Sequence, residues 1–464
     1  MKRKAFMKSI LGASAFLGLP ISKIDAENNS VQELIDKTKR DNNGSMFGFK
    51  CSKIEKVRIG IIGLGNRGNT LLEMLEYLIK NNHAEINGLS DLTYKKVNLA
   101  SEKISSWQRK KIKLFYDSKE DWKKMCQRDD IDLIIIATPW KLHAEMAIFS
   151  MENNKHVGCE VPIASTLEDC WKIIETAERT KKHCMMMENC NYNEEELWIL
   201  NMIQEGVFGD ITHTEGAYIH DLRALLLSNT YYQDQWRLNE HINRNGNLYT
   251  THGLGPISFY LNIGRGDTFS YLTSMSSREL NLSKAAKNKN HPIQSYSCGD
   301  MNNTLIKTEK GITILLQFDV HTGRPYTRIN KVVGTEAVHD GYPSRLYLDK
   351  ENMQSWGHDW LNKDEYNLFK TRYKHPIIKS LEKISEGFKQ GHGGMDFVMI
   401  YRMIRGLNLG LPLDINVYDS VMWSAITPLS EISVASKSQS IIIPDFTAGK
   451  WRDYSSLEIM NNII

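Results

Sequence analysis

Tyr249 and His252 stand three residues apart in the stretch "NLYTTHGLGPISFYLN". If this stretch opens a helix, as Leu254, Ile257, Phe259 and Leu261 suggest, the two share one face. A phenol beside an imidazole can bind a hydroxyl group and carry its proton. The alternative is a helix-start histidine bonded to nearby backbone. Glu160, in "NKHVGCEVPIA", is a second candidate. It follows an apolar run and precedes Val161 and Pro162. A carboxylate there either meets a ligand or caps the next helix. Neither group does chemistry unless a scaffold brings it to a substrate.

The scaffold is legible upstream. Val57 to Ile62 is apolar apart from Arg58, as a buried parallel strand requires. It runs into Gly63, Leu64, Gly65, Asn66, Arg67 and Gly68, then into a helical pattern of Leu71, Leu72, Leu75 and Leu78. GxGxxG between a strand and a helix is the context that makes the motif informative. Gly63 allows the tight turn, Gly65 lets backbone approach a pyrophosphate, and Gly68 permits close packing. The next strand, "AEINGLSD", ends in Asp91, placed to take ribose hydroxyls and so to favour NAD. "DLIIIATPWKLH" ends in Thr138-Pro139, with Trp140 and His143 just beyond. Trp140 suits stacking on a ring of the cofactor, and His143 reads equally as an ordinary helix-start residue. The expected architecture is α/β. A doubly wound Rossmann domain spans 54–185, and an α+β substrate domain with an open, mostly antiparallel sheet spans 186–464. The C-terminal segment is expected to pack back on the first domain.

Composition narrows the function classes. A chain of 464 residues with net charge +3 gives no electrostatic case for nucleic acid. Fourteen histidines form no HExxH-type spacing, so no metal site is read from the sequence. The first 26 residues, "MKRKAFMKSILGASAFLGLPISKIDA", are basic and then apolar, the layout of an export signal and too short for a stable membrane span. An amphipathic helix of the mature fold is the alternative. "RKAFMK" resembles a twin-arginine signal with Lys4 in place of the second arginine, which points to a periplasmic destination. Seven scattered cysteines without CxxC spacing suit folding in a reducing compartment before export. Residues 27–53 read as a linker or loose arm.

The second half supplies loop aromatics and a cation: Tyr218 in "EGAYIHDLR", Trp236 and Arg237 in "YYQDQWRL", and Tyr326 on a turn between strands. Such groups suit sugar recognition, although strand aromatics are more often core. An exposed sheet here favours a homodimer through that face.

The GxGxxG start, the strand end with a downstream histidine and the Glu-x-Pro turn resemble the Gfo/Idh/MocA oxidoreductases. In that family a lysine between the glutamate and proline commonly serves the hydroxyl being oxidised; here Val161 stands instead. A narrower resemblance accounts for the valine. "GLGNRG", "ATPWKLH", "CEVP", "ENCNY", "YTTHGLGP" and "GHGGMDF", in that order, look like glycoside hydrolase family 109, the NAD-dependent α-N-acetylgalactosaminidases. The resemblance implies hydrolysis by transient oxidation. Hydride leaves sugar C3 for NAD, the ketone acidifies the C2 proton, the C1 substituent is eliminated, water adds and the hydride returns. NAD-dependent glycosidases are recognised exceptions to the two-carboxylate scheme. The resemblance also implies that Asn66, Arg67, Asp91, Trp140, His143, Glu160, Val161, Asn189, Tyr249 and His252 line the NAD site. It implies Tyr218, Arg237, Tyr249 and Tyr326 at the sugar. Tyr249 and His252 are expected to handle the C3 hydroxyl, Glu160 to contact the nicotinamide edge or a substrate hydroxyl, and Tyr192 to act as the C2 base. His392 and Asp396 are expected near the site without an assigned role. The alternative is a net sugar dehydrogenase of the broader family, in which NADH accumulates. A non-catalytic binding protein would share the fold.

Overall fold

The computed structural model describes residues 31–40, 44–349 and 359–453. The expected export signal lies outside the described residues. Among the described residues no helix is long and apolar enough to cross a membrane.

Six strands form the first sheet: β1 (Val57–Ile62), β2 (Ala84–Ser90), β3 (Lys113–Phe115), β4 (Leu133–Ile136), β5 (His156–Cys159) and β6 (Cys184–Met186). They are all parallel, in the order β3-β2-β1-β4-β5-β6. This is the dinucleotide-binding order, with its crevice where the winding reverses beside β1. Helices cover both faces, so every residue of β4 and β5 is buried. The second sheet has eight strands: β7 (Ile211–Ile219), β8 (Phe269–Ser276), β9 (Asn302–Thr308), β10 (Thr313–Asp319), β11 (Lys331–Gly334), β12 (Ala337–Asp340), β13 (Arg345–Leu348) and β14 (Ile441–Ile442). Their order is β13-β12-β11-β7-β10-β9-β8-β14, antiparallel except for the β7–β10 pair. One face is half-exposed, so burial alternates along β9 and β10.

The helix Val417–Ala435 joins the two sheets. It is buried over nearly its whole length, started by a capping box of Asn416 and Asp419. Its serines reach both domains. Ser420 and Ser424 accept the main-chain N–H groups of Met186 and Ile163 at 2.9 and 3.2 Å. Ser430 and Ser433 accept those of Asn247 and Ser274, each at 2.9 Å. Small hydroxyl side chains let the helix lie close and satisfy backbone donors that it would otherwise strand.

Within the segment expected to be a linker or loose arm, the described residues 31–40 and 44–53 form a packed strap instead. Val31–Asp36 is helical with Ile35 fully buried. Phe47 stacks on Tyr418 at 4.5 Å, and Phe49 packs on His183 at 4.8 Å. The polar "DNNGS" stretch misleads because the apolar anchors flank it singly rather than as a periodic run.

Candidate active site

The cofactor edge comes first. Gly63 follows β1 with φ +89, and a Cβ there would meet the Ala137 carbonyl at 2.6 Å. A Cβ on Gly68 would stand 1.9 Å from the Gly63 carbonyl oxygen. Gly65 differs, because nothing lies within 4 Å of the Cβ position. It precedes the helix Asn66–Met74 without a side-chain cap, so first-turn N–H groups face open space. That cradle suits a pyrophosphate. Asp91 follows β2 and accepts the Leu64 N–H at 2.8 Å, while Lys96 Nζ lies 3.2 Å from its other oxygen. The carboxylate therefore braces the glycine loop. Asn66 is exposed beside it. The residues present fit a dinucleotide.

Two carboxylates follow the next parallel strands. Glu160 follows β5 and accepts from Arg67 Nε at 2.7 Å, so it caps no helix. The same guanidinium donates through Nη1 and Nη2 to Asp396 at 2.6 and 3.0 Å. Asn189 Nδ2 donates to Asp396 at 2.7 Å, and His392 Nδ1 lies 2.7 Å from it. Burial works against the Arg67 charge, and Glu160 and Asp396 more than offset it, holding the guanidinium protonated. Burial likewise opposes the Asp396 charge, but Arg67 and His392 hold its carboxyl far below the usual carboxylate range. Asp396 and His392 thus gain a role that the sequence left open. They clamp the first turn of the nucleotide helix to the helix Met395–Leu409.

Glu188 follows β6 and is fully buried. Its Oε1 lies 2.7 Å from His252 Nδ1 and accepts the Cys190 N–H at 3.1 Å. Burial alone would raise this carboxyl, and the facing His252 reverses the direction, so it ionises below its ordinary value. An anion at Nδ1 holds the proton there and leaves Nε2 as an open acceptor. The Tyr249 hydroxyl points at that Nε2 from 3.4 Å. Tyr249 lies two residues before the helix Thr251–Tyr260 rather than within it, yet the rings still meet at 4.8 Å.

Three glycines make this possible. Gly216 on β7 and Gly253 on the helix allow backbone contact, since a Cβ on Gly253 would fall 2.6 Å from the Ala217 nitrogen. A Cβ on Gly255 would stand 2.4 Å from Asn191 Oδ1 and 2.9 Å from Glu188 Cγ. The glycines of "THGLGP" thus bring Glu188 and β7 to the histidine.

The aromatics expected at the sugar gather here. Tyr218 stacks on Tyr249 at 4.4 Å and bonds His220 Nδ1 through its hydroxyl at 3.0 Å. Arg237 lies 5.0 Å from the Trp140 ring and 5.1 Å from that of Tyr249. Trp140 also meets Trp236 edge-on at 5.3 Å. Burial raises the phenols, Tyr218 to about 12 and Tyr249 further, although Arg237 draws both down. Tyr326 is exposed at the rim, 5.2 Å from His220, and Arg328 donates to its hydroxyl at 3.1 Å. Val161 is buried beside Glu160 and offers no proton carrier.

Two expected residues are not brought to the cleft. Tyr192 is buried and donates to Asp414 at 3.2 Å, a carboxylate already paired with Arg402. Its ring enters none of the aromatic contacts around Tyr249, and burial first, then Asp414, pushes its hydroxyl well above the phenol range. This corrects its assignment as the C2 base. His143 is a brace rather than a lining residue. Both ring nitrogens are engaged, with the Pro162 and Thr138 carbonyls each 2.7 Å away, and it ties two turns together from behind. Glu188 and His220 were missed. Glu188 had a readable signal, since "MMMENCNY" repeats the apolar-run-then-Glu pattern of "HVGCEVP".

Two family models divide the chain at the boundary between the sheets. "Oxidoreductase family, NAD-binding Rossmann fold" matches residues 57–188, and "Glycosyl hydrolase 109, C-terminal domain" matches residues 192–453. A protein of Shewanella oneidensis named alpha-N-acetylgalactosaminidase is 42% identical over 99% of this chain and 98% of its own length. The chain belongs to glycosyl hydrolase family 109. A "Glycosyl hydrolase family 109 protein 1" from Shewanella sp. is 44% identical over 90% of each chain. A levoglucosan dehydrogenase solved with NADH and levoglucosan superposes with a TM-score of 0.62 at 19% identity, covering 84% of this chain and all of the other. An oxidoreductase domain protein from Kribbella flavida gives 0.64 at 18%, with 84% of this chain and 100% of its own covered. At that identity the likeness is one of fold. This family 109 protein is a glycoside hydrolase whose cofactor is NAD, bound by the first domain. The Glu188–His252–Tyr249 chain stands where β6 of that domain meets the family-specific half.

Proposed function

We propose that this enzyme hydrolyses terminal α-linked N-acetylgalactosamine with NAD recycled in place. One observation carries the reading: a buried carboxylate, an imidazole and a phenol are linked in succession beside the nucleotide-binding half, ending in an aromatic, arginine-bearing cluster. When bound, the nicotinamide supplies reversible hydride transfer at sugar C3.

The chain's own residues do the rest. Asp91 and the Gly65 cradle bind the dinucleotide, and the Arg67 clamp with Asn189 sets the edge against which it lies. Tyr249 binds the C3 hydroxyl and passes its proton to His252 Nε2, which Glu188 orients through Nδ1. This explains the valine at 161: the proton carrier comes from the second domain, so no ammonium is needed beside Glu160. Trp140, Tyr218 and Tyr326 face the sugar, and Arg237 holds the two stacked phenols. With Tyr192 occupied elsewhere, the Tyr218–His220 pair takes the C2 proton. Burial and Arg237 hold His220 below its ordinary value, so it stands neutral and able to accept.

The test uses purified enzyme without added NAD and p-nitrophenyl α-N-acetylgalactosaminide. Many turnovers of nitrophenol without net NADH are expected. NADH accumulating with free sugar, and no nitrophenol, returns the protein to the dehydrogenases. A C2-deuterated substrate is expected to lose its label to solvent, and His220→Asn to slow that loss.

Two further readings accompany this one. The chain is exported to the periplasm already folded, with its cofactor inside; among the described residues all seven cysteines are free, which supports folding in a reducing compartment. Cell fractionation and N-terminal sequencing of the mature protein decide it. The protein also forms a homodimer through the outer face of the second sheet. There Tyr271 lies beside Ile442, and Met275 and Leu305 are exposed nearby. Light scattering on wild type and Met275→Glu decides that.

A further inference from the structure

One helical turn beyond Arg237 lies a polar cluster that neither the sugar nor the cofactor uses. His241 comes from the helix Trp236–Asn243, Cys298 precedes β9 and His321 follows β10. All three are buried, His241 and His321 at 0% exposure and Cys298 at 1%. Their ligand atoms lie within 4.8 Å of one another. His321 Nε2 faces His241 Nδ1 at 3.0 Å, and Asp300 Oδ1 lies 3.6 Å from His321 Nδ1. Neither His241 Nε2 nor His321 Nδ1 has a hydrogen-bond partner of good geometry.

As plain core this arrangement is costly. Two imidazoles meeting nitrogen to nitrogen share one proton, and each buried polar atom left unpaired costs about 1–3 kcal/mol. Apolar residues of similar volume would avoid that cost. A metal ion would instead take both facing lone pairs and the thiolate together, leaving each imidazole its proton on the outer nitrogen, which for His321 is the one beside Asp300.

We propose that His241, Cys298 and His321 hold a zinc ion, with Asp300 orienting His321. Two imidazoles and a thiolate are donors that zinc prefers; they would fill three of its four tetrahedral positions and leave the fourth to a water. Zinc–nitrogen bonds of about 2.0–2.1 Å need an N···N edge of about 3.3 Å. The two imidazoles already stand near that spacing, and the sulfur closes by a side-chain adjustment. Asp300 supplies the carboxylate that commonly fixes the tautomer of a zinc-bound histidine. The ion with its thiolate carries one net positive charge. Glu431 and Asp300 face it favourably, while Arg237 and Arg244 oppose it, the latter already paired with Glu431 at 2.8 Å. The site is structural. His241 and Arg237 are four residues apart on one helix face, so the ion ties that helix to the ends of β9 and β10. Arg237 is thereby fixed over Trp140 and Tyr249. The ligands come from three distant segments, and no spacing in the sequence announces them.

The experiment uses the full chain exposed to zinc, dialysed into metal-free buffer and assayed for zinc and NAD by mass spectrometry. One zinc per chain is expected. Cobalt(II) reconstitution of chelator-stripped enzyme is expected to give tetrahedral visible bands and a near-ultraviolet thiolate-to-cobalt band. Cys298→Ser loses that band and the zinc while keeping NAD. Asp300→Asn weakens zinc binding about 10–100-fold in competition with a chromophoric chelator. The proposal fails if wild type retains no more zinc than Cys298→Ser, or if cobalt-loaded wild type lacks the thiolate band. The second outcome needs no variant, so a misfolded Cys298→Ser does not protect the idea.

Discussion

Glu160 and Glu188 occupy equivalent places, each just past the carboxyl end of a neighbouring parallel strand, yet they have opposite partners. Glu160 meets Arg67, a cation at every accessible pH. Glu188 meets His252, whose charge changes when it takes a proton. In the proposed reaction the first pair fixes geometry and the second moves a proton. Position on a fold therefore does not assign a carboxylate its role; the group it faces does. The pairs differ in anchoring too. Arg67 is gripped from two sides, by Glu160 and Asp396. His252 is held by a carboxylate on one nitrogen only, and its other nitrogen faces the Tyr249 hydroxyl.

The largest expected effect breaks the proton-moving pair. His252→Ala is expected to lower kcat by about 10²–10⁴-fold while NAD stays bound, the usual worth of a positioned base. Glu188→Gln keeps the shape and removes the anion, so the imidazole loses its preference for a proton on Nδ1. It is expected to lose a comparable factor with KM little changed. Glu160→Gln supplies the contrast, because an amide still accepts from Arg67 Nε. A loss in Glu160→Gln as deep as in Glu188→Gln would erase the distinction between the two carboxylates.

The geometric pair is sharpened through stability. Asp396→Ala leaves Arg67 with half its partners in a buried setting. Removing one partner of such a pair costs about 3–5 kcal/mol. The denaturation midpoint is expected to fall accordingly, and retained NAD with it. Unchanged NAD content in a folded variant would remove the clamp from the cofactor edge.

The same contrast explains what the sequence could show. β1 and the glycine loop are contiguous and set by local sterics, and Asp91 closes the next strand, so the nucleotide-binding motif of the first domain was readable. Tyr249 and His252 were readable because their spacing is short. Glu188 pairs with His252 across 64 positions, and Arg67 with Asp396 across 329. No local period encodes such pairs. Tyr192 misled for the same reason: its motif is local, but its partner Asp414 lies 222 residues away. Gly253 and Gly255 stand in plain view in the sequence, yet their use as contact points depends on β7 and Glu188 lying against them. Gly255→Ala is the corresponding probe. Its methyl group would press on Asn191 and Glu188, so a smaller loss than in Glu188→Gln is expected, in kcat more than in NAD retention.

The last contrast separates the Arg67 clamp from the rest of the fold along pH. The Asp396 carboxyl is held so low that the Arg67 clamp keeps its charges through mild acid. Buried histidines elsewhere do not share that protection. Burial lowers His156 and His183 to about 3 and His375 to about 4. Each is depressed in the folded chain, so between its folded value and about 6.5 the unfolded chain binds a proton that the folded chain refuses. Their stabilisation is complete above about pH 6.5 and drains as pH falls towards 4, by up to about 1.4 kcal/mol per pH unit for each histidine. His183 sits under Phe49 of the packed strap, and its main-chain N–H donates to His156 Nδ1 at 3.0 Å. Urea midpoints measured from pH 7 to 4.5 are expected to fall steadily in wild type and less steeply in His183→Gln. A flat wild-type profile above pH 4.5 would mean that these histidines protonate without opening the strap.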